Sequence, residues 1–193
     1  IKRWQALKLP QGFAGAVSGF VPHSLAPALP LRGLEATGNG KLGALERLYD
    51  EGAVRAIGVC NFLPQHLLHV LKTANTAPMI DQFEFHPGYP QYETLQFCQS
   101  RGIQAEAWSP LGRGRLLEDP LVLELAKKYG KSPAQICLRF CLQKMPAPAE
   151  ILRTTAHEAN LDIFDFEIEQ EDIYRLLTMP QTGWSGLHPE HFE

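Results

Sequence analysis

Ile103-Gln-Ala-Glu-Ala-Trp-Ser-Pro-Leu-Gly-Arg-Gly114 is the stretch on which the reading of the fold turns. Ile103, Ala105 and Ala107 alternate with Gln104 and Glu106, the period of two that marks a strand with one apolar face. The strand then breaks at Pro110, Gly112 and Gly114. It delivers an indole, Trp108, and a hydroxyl, Ser109, into a glycine-bearing loop. Glycine lets backbone N–H groups approach a phosphate closely, and Trp108 offers a flat face for a heterocycle. That pattern suits a ligand site. An ordinary strand-to-helix turn with a core tryptophan reads the same way, and this stretch alone does not separate the two.

Working outward, the same unit recurs. Met79-Ile-Asp-Gln-Phe-Glu-Phe85 is a strand, followed by a short helix over Tyr92–Arg101 that closes at Gly102. Before it, Val54-Arg-Ala-Ile-Gly-Val59 is a strand ending at Cys60-Asn61, and Pro64 opens a helix with Leu67, Leu68, Val70 and Leu71 apolar. A helix marked by Leu42, Leu45, Leu48 and Tyr49 precedes that strand and stops at Gly52. Strands alternating with helices imply parallel pairing with helical crossovers. Downstream, Asp119-Pro120 caps a helix ending at Gly130. Ser132-Pro-Ala-Gln135 is a capping box with proline at the first helical position. A last helix runs from about Gln170 to Met179, and Thr182-Gly-Trp-Ser-Gly186 begins a turn-rich tail. Residues 1–40 hold neither periodicity: Gly12-Phe-Ala-Gly-Ala-Val-Ser-Gly19 is small and apolar, and prolines crowd the region up to Pro30. A short helix at Lys2–Leu9 is the one element expected there.

Composition narrows the class. The chain has 193 residues, 45% hydrophobic and 20% charged, with a net charge of −3. This suits a globular protein with a real core. A slightly acidic chain without a basic stripe argues against nucleic acid, and no apolar run is long enough for a bilayer. Cys60, Cys98, Cys137 and Cys141 show neither disulfide-framework nor zinc spacing, so reduced thiols in the cytoplasm are expected. His66 and His69 lie three apart on a helix, but a solvated face explains them better than a metal. The chain opens on Ile1 rather than Met, which leads us to expect a fragment.

The ordered motifs carry a family likeness. Leu48-Tyr-Asp-Glu-Gly-Ala-Val-Arg-Ala-Ile-Gly-Val-Cys-Asn-Phe62, Gln82-Phe-Glu-Phe-His-Pro87, Trp108-Ser-Pro-Leu-Gly112 and Asn160-Leu-Asp-Ile-Phe-Asp-Phe166 resemble segments of the aldo-keto reductases, in the same order and at suitable spacing. The likeness covers about residues 41–144 and 160–187. It implies a partial (β/α)8 TIM barrel, with residues 1–40 an irregular remnant of the N-terminal half and 41–193 the C-terminal part of the barrel with its tail. It also implies NADPH-dependent reduction of a small aldehyde or ketone to an alcohol, by a cytoplasmic monomer without nucleic-acid or membrane partners.

In such barrels, ligands bind at the C-terminal ends of the strands. The resemblance implies that Asn61 and Gln82 hydrogen-bond the nicotinamide carboxamide, which needs donor and acceptor together, as a side-chain amide provides. Cys60 stands where the family usually has serine. Trp108 would stack on the nicotinamide ring. Ser109, Leu111 and Gly112 would line the pyrophosphate, and Asn160 would meet the adenine. Asn61 as a cap of the following helix, and Gln82 as a satisfied polar group at a strand end, are the structural alternatives. Cys60 has no histidine partner placed by sequence to make it a nucleophile. Cys137 and Cys141 read as core, and His86-Pro87 as structural. Trp184 either borders a substrate pocket or is a surface side chain.

The departures are as informative. The family's catalytic Asp, Tyr, Lys and His come from the first half of the barrel, and no residue here is assigned to any of them; His23, in its Val-Pro-His-Ser context, does not match. Between Met145 and Ala159 the family's Leu-Pro-Lys-Ser, later Arg and Glu-Asn that bind the 2′-phosphate and adenine are replaced, and only Asn160 fits. Back-translated and read one base later, Pro146-Ala-Pro-Ala-Glu-Ile151 can become Leu-Pro-Leu-Pro-Lys-Ser, and Ala156-His157 can become Arg-Met. We therefore expect a compensated pair of frameshifts. Codons that forbid the shifted reading, found by sequencing the gene, would rule it out. Two functions stay open at this point: an NADPH-dependent oxidoreductase, or a catalytically inactive truncated or frameshifted fragment.

Overall fold

The computed structural model describes residues 42–145 and 160–190. The helix expected at Lys2–Leu9, the region 1–40 and the atypical segment 146–159 lie outside the described residues. The first helix, α1 (residues 42–50), forms where the leucine periodicity places it, yet those leucines are not its most buried residues. Glu46 is, and its carboxylate accepts the backbone N–H groups of Asn75 at 2.7 Å and Thr76 at 2.9 Å. Leu48, expected on the apolar face, is 40% exposed. A carboxylate that satisfies two loop donors gains more from that position than an alkyl chain does.

The strand expected at Val54–Val59 is shorter and later. The N–H groups of Ala53 and Val54 both donate to Leu48 O, at 2.9 and 3.2 Å, closing the end of α1. The backbone is therefore not free for a ladder until β1, Gly58–Cys60. α2 (Pro64–Thr73) follows, then β2 (Ile80–Glu84), α3 (Tyr92–Ser100) and β3 (Gln104–Trp108). Among the described residues the strands form one sheet in the order β1-β2-β3, with both pairings parallel. This is the partial (β/α)8 barrel architecture that the resemblance implies.

The register sorts the side chains. Val59, Asp81 and Ala105 share one face, with Phe83 and Ala107 further along it. That face is packed into a core with Leu67 of α2 and Leu95 and Cys98 of α3. The opposite face carries Cys60, Gln82 and Glu106 in one row and Glu84 and Trp108 in the next. The alternation of Ile103, Ala105 and Ala107 with polar residues thus separates a helix-covered face from a polar one.

A short 3-10 segment, Gly112–Glu118, follows β3 and was not expected. Arg113 and Gly114 interrupt it with φ of 56° and 86°, a geometry that hides it from helical periodicity. α4 (Pro120–Tyr129) is capped by Asp119, which accepts from the N–H groups of Leu121 and Val122. It stops at Gly130 with φ of 62°. α5 (Pro133–Lys144) starts with the expected reciprocal cap: Ser132 N–H donates to Gln135 Oε1 at 2.8 Å, and Gln135 N–H to Ser132 Oγ at 3.2 Å. Cys137 and Cys141 are buried on α5, as expected of core thiols, and Cys141 donates to Phe85 O at 3.6 Å. α6 (Gln170–Thr178) lies against α4 through Asp172, which accepts from Lys128 Nζ at 2.7 Å and Tyr129 Oη at 2.6 Å. Among the described residues, no helix is long and apolar enough to cross a membrane.

Candidate functional site

Three of the residues singled out from the sequence converge where β1, β2 and β3 end. Asn61, just past β1, has φ of 61°, a left-handed conformation that asparagine tolerates better than most residues. Its N–H donates to Gln82 O at 2.8 Å, continuing the ladder for one residue. Its side-chain Oδ1 accepts from Trp108 Nε1 at 2.6 Å, bridging the two outer strands across β2. The N-cap of α2 is Leu63, whose N–H donates to His66 Nδ1 at 3.1 Å. Asn61 is therefore aimed at Trp108 and is not the helix cap.

One row deeper lie Cys60, Gln82 and Glu106. Gln82 Nε2 donates to Glu106 Oε1 at 3.0 Å, and the Cys60 thiol donates to Gln82 Oε1 at 3.8 Å. Trp108, Gln82 and Glu106 are only half-buried. In the loop after β3, Ser109 has φ of 55° and its carbonyl accepts from Gly112 N–H at 2.8 Å, while Gly114 N–H donates to Leu111 O at 2.9 Å. Leu111 is half-buried and Gly112 buried. Asn160 is buried at the start of a helical turn over 160–161, after the undescribed segment in chain order.

The C-terminal tail is fastened beside this site. Ser185 donates to Glu84 twice, from its N–H at 2.9 Å and its hydroxyl at 2.6 Å. His86, fully buried, turns Nε2 toward the same carboxylate at 3.3 Å and Nδ1 toward Pro87 O at 2.8 Å. Its role here is structural. Trp184 stacks on Tyr89 with ring centroids 5.8 Å apart, and its carbonyl accepts from Arg115 at 2.9 Å. Trp184 is thus half-buried between β2 and the loop after β3, not a free surface side chain. His66 and His69 are also half-buried. Among the described residues, no group of three or more His, Cys, Asp or Glu side chains could hold a metal.

Behind the site, on the apolar face of β2, Asp81 holds the loop that carries Asn61. Phe62 N–H donates to Asp81 Oδ1 at 3.4 Å and the Cys98 thiol to Oδ2 at 3.9 Å. Burial raises the Asp81 carboxyl well above its ordinary value, outweighing the lowering effect of those two donors. Burial, then the nearby carboxylate, pushes the Cys98 thiol up to about 12. For an acid with a raised folded-state pKa, the stabilising contribution is complete below the ordinary value and is lost as pH rises through the folded value. Asn cannot ionise and keeps an oxygen for Phe62 N–H. Because burial raises the Asp81 carboxyl, Asp81→Asn is expected to raise the unfolding free energy near neutral pH. The gain should vanish as pH falls below the ordinary carboxylate value of 3.8. Urea unfolding at neutral and acidic pH checks this; an equal effect at both would contradict it.

Glu106, Glu84 and Asp81 are absent from the residues chosen by sequence. For Glu106 a signal existed: it is two residues before Trp108 on the same strand, so it shares that face. For Asp81, the charge inside an otherwise apolar half of the β2 alternation was the visible anomaly.

Comparison with known proteins places this geometry in context. The family description "Aldo/keto reductase family" matches residues 23–178. The chain is similar to a glyoxal reductase of Bacillus subtilis, 44% identical over 149 residues that make up 76% of this chain and 54% of that protein. It is also similar to human aldo-keto reductase family 1 member A1, 38% identical over 163 residues covering 76% of this chain and 48% of that one. The chain thus spans about half the length of the curated relatives it matches. Among solved structures, a Gox0644 mutant in complex with NADPH aligns with a TM-score of 0.74 at 30% identity, over 83% of this chain and 60% of that one.

Proposed function

The chain belongs to the aldo/keto reductase family, and from that premise we propose that it carries the nicotinamide and pyrophosphate half of an NADPH site. The whole protein would reduce a small aldehyde or ketone to an alcohol, or run the reverse oxidation. The observation that supports this best is the Asn61–Trp108 hydrogen bond of 2.6 Å with the Gln82 amide one row below. Two side-chain amides beside a half-exposed indole form a donor and acceptor set that suits a flat ring bearing a carboxamide.

In this reading Asn61 and Gln82 bind the carboxamide, with Cys60 holding Gln82 from the β1 side. Trp108 orients the ring by stacking, and its bond to Asn61 fixes the indole plane before any ligand arrives. Ser109, Leu111 and Gly112 line the pyrophosphate with a loop whose backbone is already turned by its own hydrogen bonds, and Asn160 serves the adenine end. When bound, NADPH supplies the hydride for the carbonyl carbon. The four cysteines are buried thiols, which supports a reducing compartment such as the cytoplasm.

A second reading, cofactor binding without turnover, is favoured by the atypical sequence of residues 146–159. Glyoxal, the substrate in one relative's name, is the carbonyl to try first. Binding of NADPH followed by its consumption on adding glyoxal or another small aldehyde supports an enzyme. Binding without consumption supports the second reading. Gln82→Leu is expected to weaken NADPH about tenfold, the loss of one ligand hydrogen bond with its partner left unpaired. Calorimetric titration of both chains checks it, and equal affinities would overturn the role of Gln82.

A further inference from the structure

We propose that Glu106 is a positioning residue that sets the sense of the Gln82 amide and so makes the site select a carboxamide over a carboxylate on the ligand ring. The inference rests on the cofactor reading above and extends it to a residue that reading does not use. Cys60, Gln82 and Glu106 occupy one register row on the polar face of the sheet. Gln82 therefore has a neighbour on each side and no freedom to choose between them. On the β3 side its Nε2 donates to Glu106 Oε1 at 3.0 Å; on the β1 side its Oε1 accepts the Cys60 thiol at 3.8 Å.

The chemistry dictates that sense. An ionised carboxylate accepts and cannot donate, whereas a side-chain amide has one end of each kind. Turning the amide over would press its oxygen against a carboxylate oxygen and aim its NH2 group at a thiol, a weak acceptor. The carboxylate thus locks the NH2 end toward β3. Among the described residues, the oxygen end meets a long thiol contact on the β1 side and keeps a lone pair to spare. That oxygen calls for an N–H donor. A ring carboxamide supplies one, and a ring carboxylate supplies a second acceptor, leaving two facing oxygens unpaired. The neighbouring amide at Asn61 already has its oxygen engaged by Trp108, so discrimination at the acceptor falls to Gln82.

The probes are NADP and its nicotinic acid analogue, in which a carboxylate replaces the ring carboxamide. Affinities for both are measured with the full chain by calorimetry. The native chain should prefer NADP by about tenfold or more. In Glu106→Gln the Gln82 amide is free to turn over, and the preference should shrink to about twofold with NADP affinity changed by less than about threefold. A purely structural role for Glu106 would lower both affinities together and keep their ratio, which would overturn the proposal. Repulsion of the carboxylate by Glu106 itself is separated by Gln82→Met, which keeps the charge and removes the amide. Collapse of the preference there supports orientation, and its persistence overturns it. If circular dichroism shows Glu106→Gln unfolded, Glu106→Met makes the same test. A native chain that binds NADP without preference overturns the proposal alone; one that binds neither probe overturns the cofactor reading as well.

Discussion

Phe85→Ala is expected to lower the unfolding free energy by about 3–5 kcal/mol, the range for deleting a buried aromatic side chain. Phe85 is fully buried immediately after β2. Its N–H donates to Trp108 O at 3.3 Å, and its ring stacks on Phe140 of α5, with centroids 5.7 Å apart and planes 21° from parallel. Phe83 meets it edge-on at 6.4 Å. The ring therefore ties the sheet to α5, and truncation removes both the transfer energy of the side chain and its contacts with two other rings. Against a total of about 5–15 kcal/mol for a typical domain, this is a large fraction. Phe164→Ala is the control: that ring is 67% exposed, and the change should stay within about 0.5 kcal/mol. Urea unfolding of both variants decides; a Phe85→Ala cost below that of Phe164→Ala would contradict the packing described.

Gly112→Ala is expected to cost about 2–5 kcal/mol, shared between folding and the seating of the tail, because strain and overpacking act together there. Gly112 has φ of 55°, and a Cβ built on it would fall 2.7 Å from the Cα of Gly183 and 2.8 Å from Cγ of Leu116. The first of these atoms is backbone and cannot swing aside. Either the loop after β3 shifts or the tail lifts. Lifting the tail strains the bonds from Ser185 to Glu84 and from Arg115 to Trp184 O. Gly114 is the comparison: its φ is 86°, but nothing lies within 4 Å of the added Cβ. Gly114→Ala should show only the backbone cost of about 1–2 kcal/mol. Limited proteolysis of the tail, alongside unfolding, should distinguish the two. Equal effects in both would mean that the approach of Gly112 to Gly183 does not matter.

The parts of the fold set by local chemistry were legible. The alternation around Ala105 and Ala107, the Asp119 cap and the Ser132–Gln135 box each depend on neighbours within a few residues, and each appears in the structure as read. The misreadings arise where a backbone or side-chain group is claimed by a partner that periodicity does not reveal. Val54 looks like strand, but its N–H is taken by Leu48 O. Leu48 reads as part of the apolar face of α1 but is exposed, while Glu46 is buried because its carboxylate is needed by the loop at Asn75 and Thr76. The same holds at the site. Cys60, Asn61 and Trp108 stood out because each lies at the end of a strand, and Gln82 through the family resemblance, although it sits in the middle of β2. Glu106 did not, because its importance depends on the register that sets it beside Gln82, and register is a relation between strands that neither strand encodes alone. Asn61 could be a cap or a ligand-side group until Leu63 proved to be the N-cap and the Trp108 indole proved to be its partner.

The central claim is that the ends of β1, β2 and β3 form a nicotinamide site around Trp108. Titrating the full chain with NADPH while following tryptophan fluorescence, with Trp108→Phe in parallel, tests it most directly. Saturable quenching that weakens in Trp108→Phe is the expected result. A chain that unfolds cooperatively yet shows no saturable quenching, or quenching that Trp108→Phe leaves unchanged, would contradict it.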